Sequence, residues 1–353
     1  METSTVAMKT VTTVGIDLAK NVFQVHGVNA RGNPMLQKQL KRAQVLTFFS
    51  NRTPCLIGME ACGGAHFWAR ELVKLGHTVK LMAPQFVNPY VKTNKNDARD
   101  AEGICEAVSR PSMRFVAVKT PEQQALLSVH RVRQGLVEAR TATANQIRGL
   151  LTEFGLIMPK GIWNIDKRLP DILEDAENNL PPMMRELTAT LRAQFKHLDS
   201  QVKALDAVIA RAHREQPASR QLAAIPGIGP ITATALVATV GDARQFKSGR
   251  QVAAWLGLVP HQNSSGGKER LLGISKRGDV YLRTLLIHGA RAVVREASKR
   301  PESDTWLMRL VKRRHPNVAT VALANKNARI AWALLAHPER KYQTDYTPLR
   351  AAA

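Results

Sequence analysis

The chain has 353 residues and carries 51 Lys and Arg against 28 Asp and Glu, a formal net charge of +23. A polycation of this size attracts polyanions, above all nucleic acid, and its 44% hydrophobic content excludes wholesale disorder. An aromatic content of 5% argues against a surface built mainly from stacking platforms and favours contact through backbone phosphates.

After a loose leader to about Thr10, Val11 to Ile16 reads as a buried strand ending at Asp17. Val22 to Val28 alternates as a second strand, Asn29 to Pro34 is turn chemistry, and Met35 to Leu40 is a third strand. Residues 43–51 form a short helix, and Cys55 to Met59 is an apolar strand that delivers Glu60 at its end. Gly63-Gly64 opens a helix to about Leu75, His77 to Met82 is another strand, and Pro84 opens a short helix. A further helix begins at Asp97 and Asp100. Three antiparallel-type strands followed by alternating helix and strand are expected of a ribonuclease-H-like fold.

From Pro121 to about Ala212 the pattern is helical. Met184, Leu187, Leu191, Phe195, Leu198, Val202, Leu205 and Ile209 repeat at the spacing of a coiled-coil seam. Such a seam pairs with a second copy, or it is an amphipathic face packed on its own core. Gln216-Pro217 marks a third region, helical with glycine-rich turns. The expected organisation is therefore a domain at 11–115, a helical segment at 120–215 and a C-terminal domain at 216–345. Three cysteines without C-x-x-C spacing give neither a disulfide framework nor a zinc site and suit a reducing cytoplasm. The N-terminus lacks a signal peptide, and no apolar run reaches the ~18 residues of a membrane span, so no membrane partner is expected.

Three constellations could carry chemistry. Asp17 and Glu60 end strands while Asp97 and Asp100 share a helical face, which suits carboxylates gathered at one edge of a sheet. Such a set holds Mg²⁺ or Mn²⁺ against a phosphodiester, whereas each acid alone is equally a helix cap or a solvated surface group. Ile225-Pro226-Gly227-Ile228-Gly229-Pro230 is similar to a helix-hairpin-helix turn, whose glycines bring backbone N–H groups to a phosphate. Without a ligand it is a tight interhelical turn. Asn263 to Arg270, continuing to Gly278, is a flexible, hydroxyl-rich, basic loop. A serine there, flanked by glycine and cations, could attack a phosphodiester, or the segment is a plain surface loop. Gly227, Gly229, Lys268, Arg270, Lys276 and Arg277 are the candidate nucleic-acid contacts. Basic clusters at Lys38, Lys41 and Arg42, at Arg131, Arg133 and Arg140, and at Arg309, Lys312, Arg313 and Arg314 track phosphates or form solvated faces. The scattered histidines form no metal or catalytic spacing and read as structural or surface groups.

Six stretches together resemble one family, the DEDD transposases of bacterial insertion sequences (the insertion-sequence 110/1111 family). They are Gly15 to Lys20, Met59 to Gly64, Lys95 to Ala101, Ile225 to Gly229, Ala254 to Pro260 and Ser275 to Gly278. The resemblance implies an N-terminal domain similar to the junction resolvase RuvC, a coiled-coil dimerisation segment and a C-terminal transposase domain. It implies that Asp17, Glu60, Asp97 and Asp100 form an acidic tetrad for Mg²⁺ or Mn²⁺, and that a C-terminal serine forms a phosphoserine bond to DNA. Counting five residues from Pro260 and requiring a following glycine selects Ser265, with Ser264 the alternative. The family more often has threonine where this chain has Cys62, at a position with no direct metal role. The resemblance further implies donor and target DNA as substrates, a bridge RNA that pairs with both, and a homo-oligomer (dimer or tetramer). The metal site and the serine then come from different protomers, in the bacterial cytoplasm at the nucleoid. The rivals are a junction nuclease that uses water and a non-catalytic binding scaffold.

Overall fold

Alternation of apolar side chains decides the sheet of the N-terminal unit. In the computed structural model, β1 (Thr13–Asp17) buries Val14 and Ile16 on one face and turns Gly15 to the other. The structure describes residues 11–91, 96–299, 302 and 305–343; the leader to Thr10, Lys95 of the acidic motif and the alanine tail lie outside them. The chain divides into two units, residues 1–120 and 121–353.

The first unit holds a six-stranded sheet in the order β3-β2-β1-β4-β5-β6, formed with β2 (Val22–Val28), β3 (Pro34–Lys41), β4 (Leu56–Glu60), β5 (Thr78–Met82) and β6 (Phe115–Val116). β1, β2 and β3 are antiparallel neighbours, β1, β4 and β5 run parallel, and β6 returns antiparallel at the edge. A six-stranded mixed sheet of this kind is in keeping with the ribonuclease-H-like expectation. Helices α1 (Val45–Ser50) and α2 (Ala65–Lys74) supply Phe49, Trp68 and Leu72 to a core shared with Ile16, Ile57 and Met59. After α3 (Pro84–Val87), α4 (Asp97–Val108) covers the opposite face, where Ile104 and Val108 pack with Met82 and Val87. The two-residue strand β6 is absent from the sequence reading, because so short a strand carries no period.

In the second unit, α5 (Pro121–Thr152) and α7 (Pro182–Glu215) form a long antiparallel pair, with α6 (Trp163–Glu174) packed at one end. Two ion pairs fix the direction. Arg140 Nη1 meets Asp199 Oδ1 at 2.5 Å, and Arg133 Nε meets Asp206 Oδ1 at 2.5 Å. Moving back along α5 thus moves forward along α7. Leu191, Phe195, Val202 and Ile209 of the heptad seam are buried, and Leu187 is exposed. The seam therefore has a partner within its own chain, and Arg133 and Arg140 of one basic cluster are ion-paired with acids of α7.

The remainder of this unit packs α8 (Pro217–Leu222), α9 (Pro230–Val240), α10 (Gly249–Trp255), α11 (Val280–Ala297), α12 (Trp306–Arg313) and α13 (Pro316–Ala336) around Leu236, Leu256, Leu286 and Ala328. Between α10 and α11 lies an antiparallel hairpin of β7 (Pro260–Gln262) and β8 (Leu271–Ile274). This segment was expected to be a flexible loop. Its strands are short and nearly all exposed, so they show neither alternation nor burial, but the Gly266-Gly267 pair between them is a hairpin signal. Among the described residues, no helix is long and apolar enough to cross a membrane.

Candidate metal centre and serine hairpin

The acidic centre is built by close approach of a helix to a sheet. Gly15 of β1 and Gly58 of β4 are register partners, so two side-chain-free positions lie next to each other on one face. A Cβ on Gly15 would stand 2.2 Å from Ala101 O and 2.4 Å from Cys105 N, and one on Gly58 would stand 2.7 Å from Val108 Cβ. Only glycine admits α4 this near. Strand parity then places Asp17 and Glu60, two residues beyond these glycines, on the face that α4 covers. Ala101 contacts Gly15, so the preceding turn of α4, with Asp97 and Asp100, stands over the end of β1. Asn96 caps that turn, its Oδ1 accepting the Ala98 N–H at 3.0 Å.

The result is a convergence. Asp17, Asp97 and Asp100 each offer a carboxylate oxygen, and the three oxygens lie within 4.8 Å of one another. Asp97 is exposed and the other two are half-buried, so the group is open to solvent. Glu60 stands outside this tight group, at the end of the neighbouring strand. Its field still overlaps that of Asp17 at Cys62, whose thiol is pushed up by partial burial first, then by Glu60 and Asp17. A thiol kept protonated in this way is a poor metal ligand, so the oxygen donors alone define the candidate set. Hard, anionic oxygens in close convergence suit Mg²⁺ or Mn²⁺.

The C-terminal candidates sit differently. Gly266 and Gly267 have φ of +56° and +76°, and Lys268 N donates to Ser265 O at 3.1 Å, closing a tight turn at the hairpin tip. Ser264 Oγ is engaged in that turn, accepting the Arg270 N–H at 3.1 Å and the Gln262 amide at 3.1 Å. Among the described residues the Ser265 hydroxyl has no hydrogen bond, and the residue is exposed. Lys268 and Arg270 flank it on the exposed hairpin, and Lys276 and Arg277 follow β8.

The Ile225-to-Pro230 turn joins α8 to α9. Gly227 has φ +87°, and its Cβ would stand 2.8 Å from Gly289 O, so this glycine serves backbone contact with α11. Gly229, at the N-cap of α9, has open space beside it. Two buried clamps escaped the sequence reading. Asn327 Nδ2 donates to Pro226 O at 2.8 Å, holding the turn. Arg283 Nη1 donates to Leu256 O at 3.1 Å and Arg277 O at 3.0 Å, tying α11 to the segment after β8. A lone arginine amid the apolar run Val280 to Ile287 was the available signal.

Comparison with known proteins assigns the chain. A family model for the transposase of the IS110 DEDD type matches residues 14–155, and one described as "Transposase IS116/IS110/IS902 family" matches residues 219–304. A "Probable family 20 transposase" of Pseudomonas aeruginosa is 56% identical over 337 residues, spanning 95% of this chain and 98% of that protein. The chain belongs to the IS110/IS116/IS902 family of insertion-sequence transposases. The transposase for insertion sequence element IS1111A of Coxiella burnetii is 45% identical, with 94% of this chain and 92% of that one covered. The transposase for IS1328 of Yersinia enterocolitica is likewise 45% identical, with 92% and 97% covered. The first family match includes all four acidic residues of this transposase, and the second includes the glycine turn and the serine hairpin.

Proposed function

We propose that this transposase cuts and rejoins DNA at its insertion sequence, with Asp17, Glu60, Asp97 and Asp100 holding Mg²⁺ or Mn²⁺ and Ser265 as nucleophile. The observation that carries this reading is the convergence of the Asp17, Asp97 and Asp100 carboxylates within 4.8 Å. Three like charges held so close, in a chain of net charge +23, are the donor set of a divalent cation that meets a phosphate. When bound, the cation supplies charge neutralisation at the phosphoryl oxygens.

The remaining roles belong to the chain itself. Ser265 Oγ forms a bond to phosphorus while one backbone P–O bond breaks, and the serine proton ends on the departing oxygen as a hydroxyl. Attack by the hydroxyl of another strand reverses these steps, releases the serine and joins the new ends. Lys268, Arg270, Lys276 and Arg277 offset the phosphate charge, and the turn at Gly227 and Gly229 holds the backbone without reading bases. Sequence is read by a bridge RNA that pairs with donor and target DNA, and exchange takes place in a homo-oligomeric synapse. Ser264 Oγ accepts two hydrogen bonds in the turn while Ser265 Oγ makes none among the described residues, which favours Ser265 as the attacking group.

The test is denaturing electrophoresis of the full-length protein with labelled element-end DNA and Mg²⁺. Wild type is expected to give a protein–DNA adduct, Ser265→Ala none, and Asp97→Asn neither adduct nor cleavage while DNA binding persists. Cleavage without adduct, undiminished in Ser265→Ala, would identify a nuclease that uses water. Unchanged activity in Asp97→Asn would remove the metal centre from the reaction.

A further inference from the structure

A groove of about 1630 Å³ opens in the second unit between the serine hairpin and helices α10, α12 and α13. This exceeds the ~300–1,000 Å³ of small-molecule sites, so its dimensions suit a length of chain rather than a metabolite. Its floor is apolar, with Leu258, Ile274, Val321 and Ile330. Large apolar groups also remain in contact with solvent at its edge. Trp306 is 40% exposed, Leu272 46% and Val318 52%. The rim carries Arg250, Arg309, Lys326 and Arg329, and no carboxylate is among the described residues that line it. Lys326 Nζ stands 4.6 Å from the centroid of the Trp306 ring, so a charge and an aromatic surface are presented together.

Each half of this surface excludes one kind of ligand. A rim of cations with no acid among the described lining residues does not fit an apolar helix or a basic segment. An apolar floor with an exposed indole is wasted on a duplex, whose bases are stacked inside and whose outer surface is phosphate. An unpaired strand uses both halves, because each of its nucleotides offers a flat apolar face and an anion. The wall formed by Leu272, Gly273 and Ile274 is β8 itself, the second strand of the hairpin whose tip carries Ser265. The strand best placed to enter is therefore the one handled by that hairpin.

We propose that this groove takes an unpaired stretch of single-stranded DNA, a base lying on Trp306 and the phosphates on Arg250, Lys326 and Arg329. The proposal rests on the reading of Ser265 as the group that handles DNA. Low aromatic content over the chain as a whole is compatible with it, since one placed indole is enough for one base. The groove would hold a strand end unstacked beside the hairpin and keep it from re-pairing.

The experiment measures binding of the full-length protein to a fluorescent single-stranded oligodeoxynucleotide, to the same sequence as RNA and to its duplex. Trp306→Ala is expected to weaken single-strand DNA binding about tenfold, to leave duplex binding within about twofold, and to be largely rescued in Trp306→Phe. Because Trp306 contacts α13, the exposed rim variant Lys326→Gln serves as a second probe, expected to weaken single-strand binding and to flatten its salt dependence. Equal affinities in wild type, Trp306→Ala and Lys326→Gln would overturn the proposal. So would an equal loss for single strand and duplex, a selective loss for RNA alone, or a loss of self-association in place of DNA binding, which would mark a protein-docking face. The adduct assay separates the two readings. An adduct from wild type with no selective effect of Trp306→Ala sinks only the groove, and a selective effect without any adduct sinks only the nucleophile.

Discussion

In the first unit three carboxylates converge because a pair of glycines lets α4 press against the sheet, whereas in the second unit Ser265 stands at the tip of an exposed hairpin. The two candidate groups thus owe their positions to different physics. The carboxylates are placed by tightly packed backbone, with Ala101 O and Cys105 N directly over Gly15, so their geometry is coupled to folding. The serine is placed by a glycine turn on a hairpin whose strands are almost all exposed. A metal centre needs fixed oxygens before its ion arrives, while a nucleophile that must form and later break a covalent bond gains from exposure.

The largest expected effect breaks the first half of this comparison. Gly15→Val puts a branched side chain where even a Cβ meets backbone at 2.2 Å, so α4 must lift from β1 and carry Asp97 and Asp100 away from Asp17. The cost is on the order of 3–5 kcal/mol, the range of severe overpacking against atoms that cannot move aside. Urea unfolding should show that loss, and DNA cleavage should fall to background. A Gly15→Val protein with wild-type stability and cleavage would mean that close packing does not set the site. Gly266→Ala, at a φ of +56° but with open space around it, should by contrast change stability by only about 1 kcal/mol.

What could be read from residues alone follows the same division. Val22 to Val28 was legible from its alternation, Val11 to Ile16 and Cys55 to Met59 from compact apolar runs, and the helix start at Asp97 from its acidic first turn. The heptad positions on α7 were legible as a seam, but not their partner. The pairing of Arg140 with Asp199 and Arg133 with Asp206 requires knowing that α5 folds back along α7. Gly15 was visible as the first letter of a resembling stretch and Gly58 only as a member of the apolar strand from Cys55 to Met59, since the helix that needs their missing side chains arrives some 40 residues later than Gly58 and more than 80 later than Gly15. The β7–β8 hairpin is not legible, for the opposite reason. Its strands face solvent, and solvent imposes no pattern.

A smaller effect is read through pH. In the second unit His130 is buried, its Nδ1 3.0 Å from the Tyr281 hydroxyl and its Nε2 3.1 Å from Thr234 Oγ1. Burial first, and Arg133 second, push its pKa down to about 4, so the folded state holds it neutral. The unfolded chain binds a proton near the ordinary value of about 6.5, where the folded one does not. The stability present above that pH is therefore eroded as the pH falls towards about 4, by up to about 3 kcal/mol. His26 in the first unit is also lowered by burial, with Glu102 opposing the shift, so it acts in the same direction there. Urea midpoints of the helical unit at about pH 7.5 and about pH 5 should differ clearly in wild type and much less in His130→Gln. An equal pH response in the two proteins would assign the acid sensitivity to other groups.

The smallest effect sharpens the other half of the comparison, the division of labour between adjacent serines. Ser264→Ala removes the acceptor of the Arg270 N–H and of the Gln262 amide, two bonds across the exposed hairpin. Water replaces such partners readily, so the expected loss is about 1 kcal/mol at most, confined to the ordering of the tip. Adduct formation should fall a few-fold, because Ser265 remains in place but its turn is looser. If Ser264 were the attacking group, the same substitution would abolish the adduct and Ser265→Ala would leave it. The two variants thus give opposite results under the two assignments, and the existing bonds already bias the outcome. A hydroxyl that accepts two hydrogen bonds must break them to present a lone pair to phosphorus, while Ser265 has none to break among the described residues.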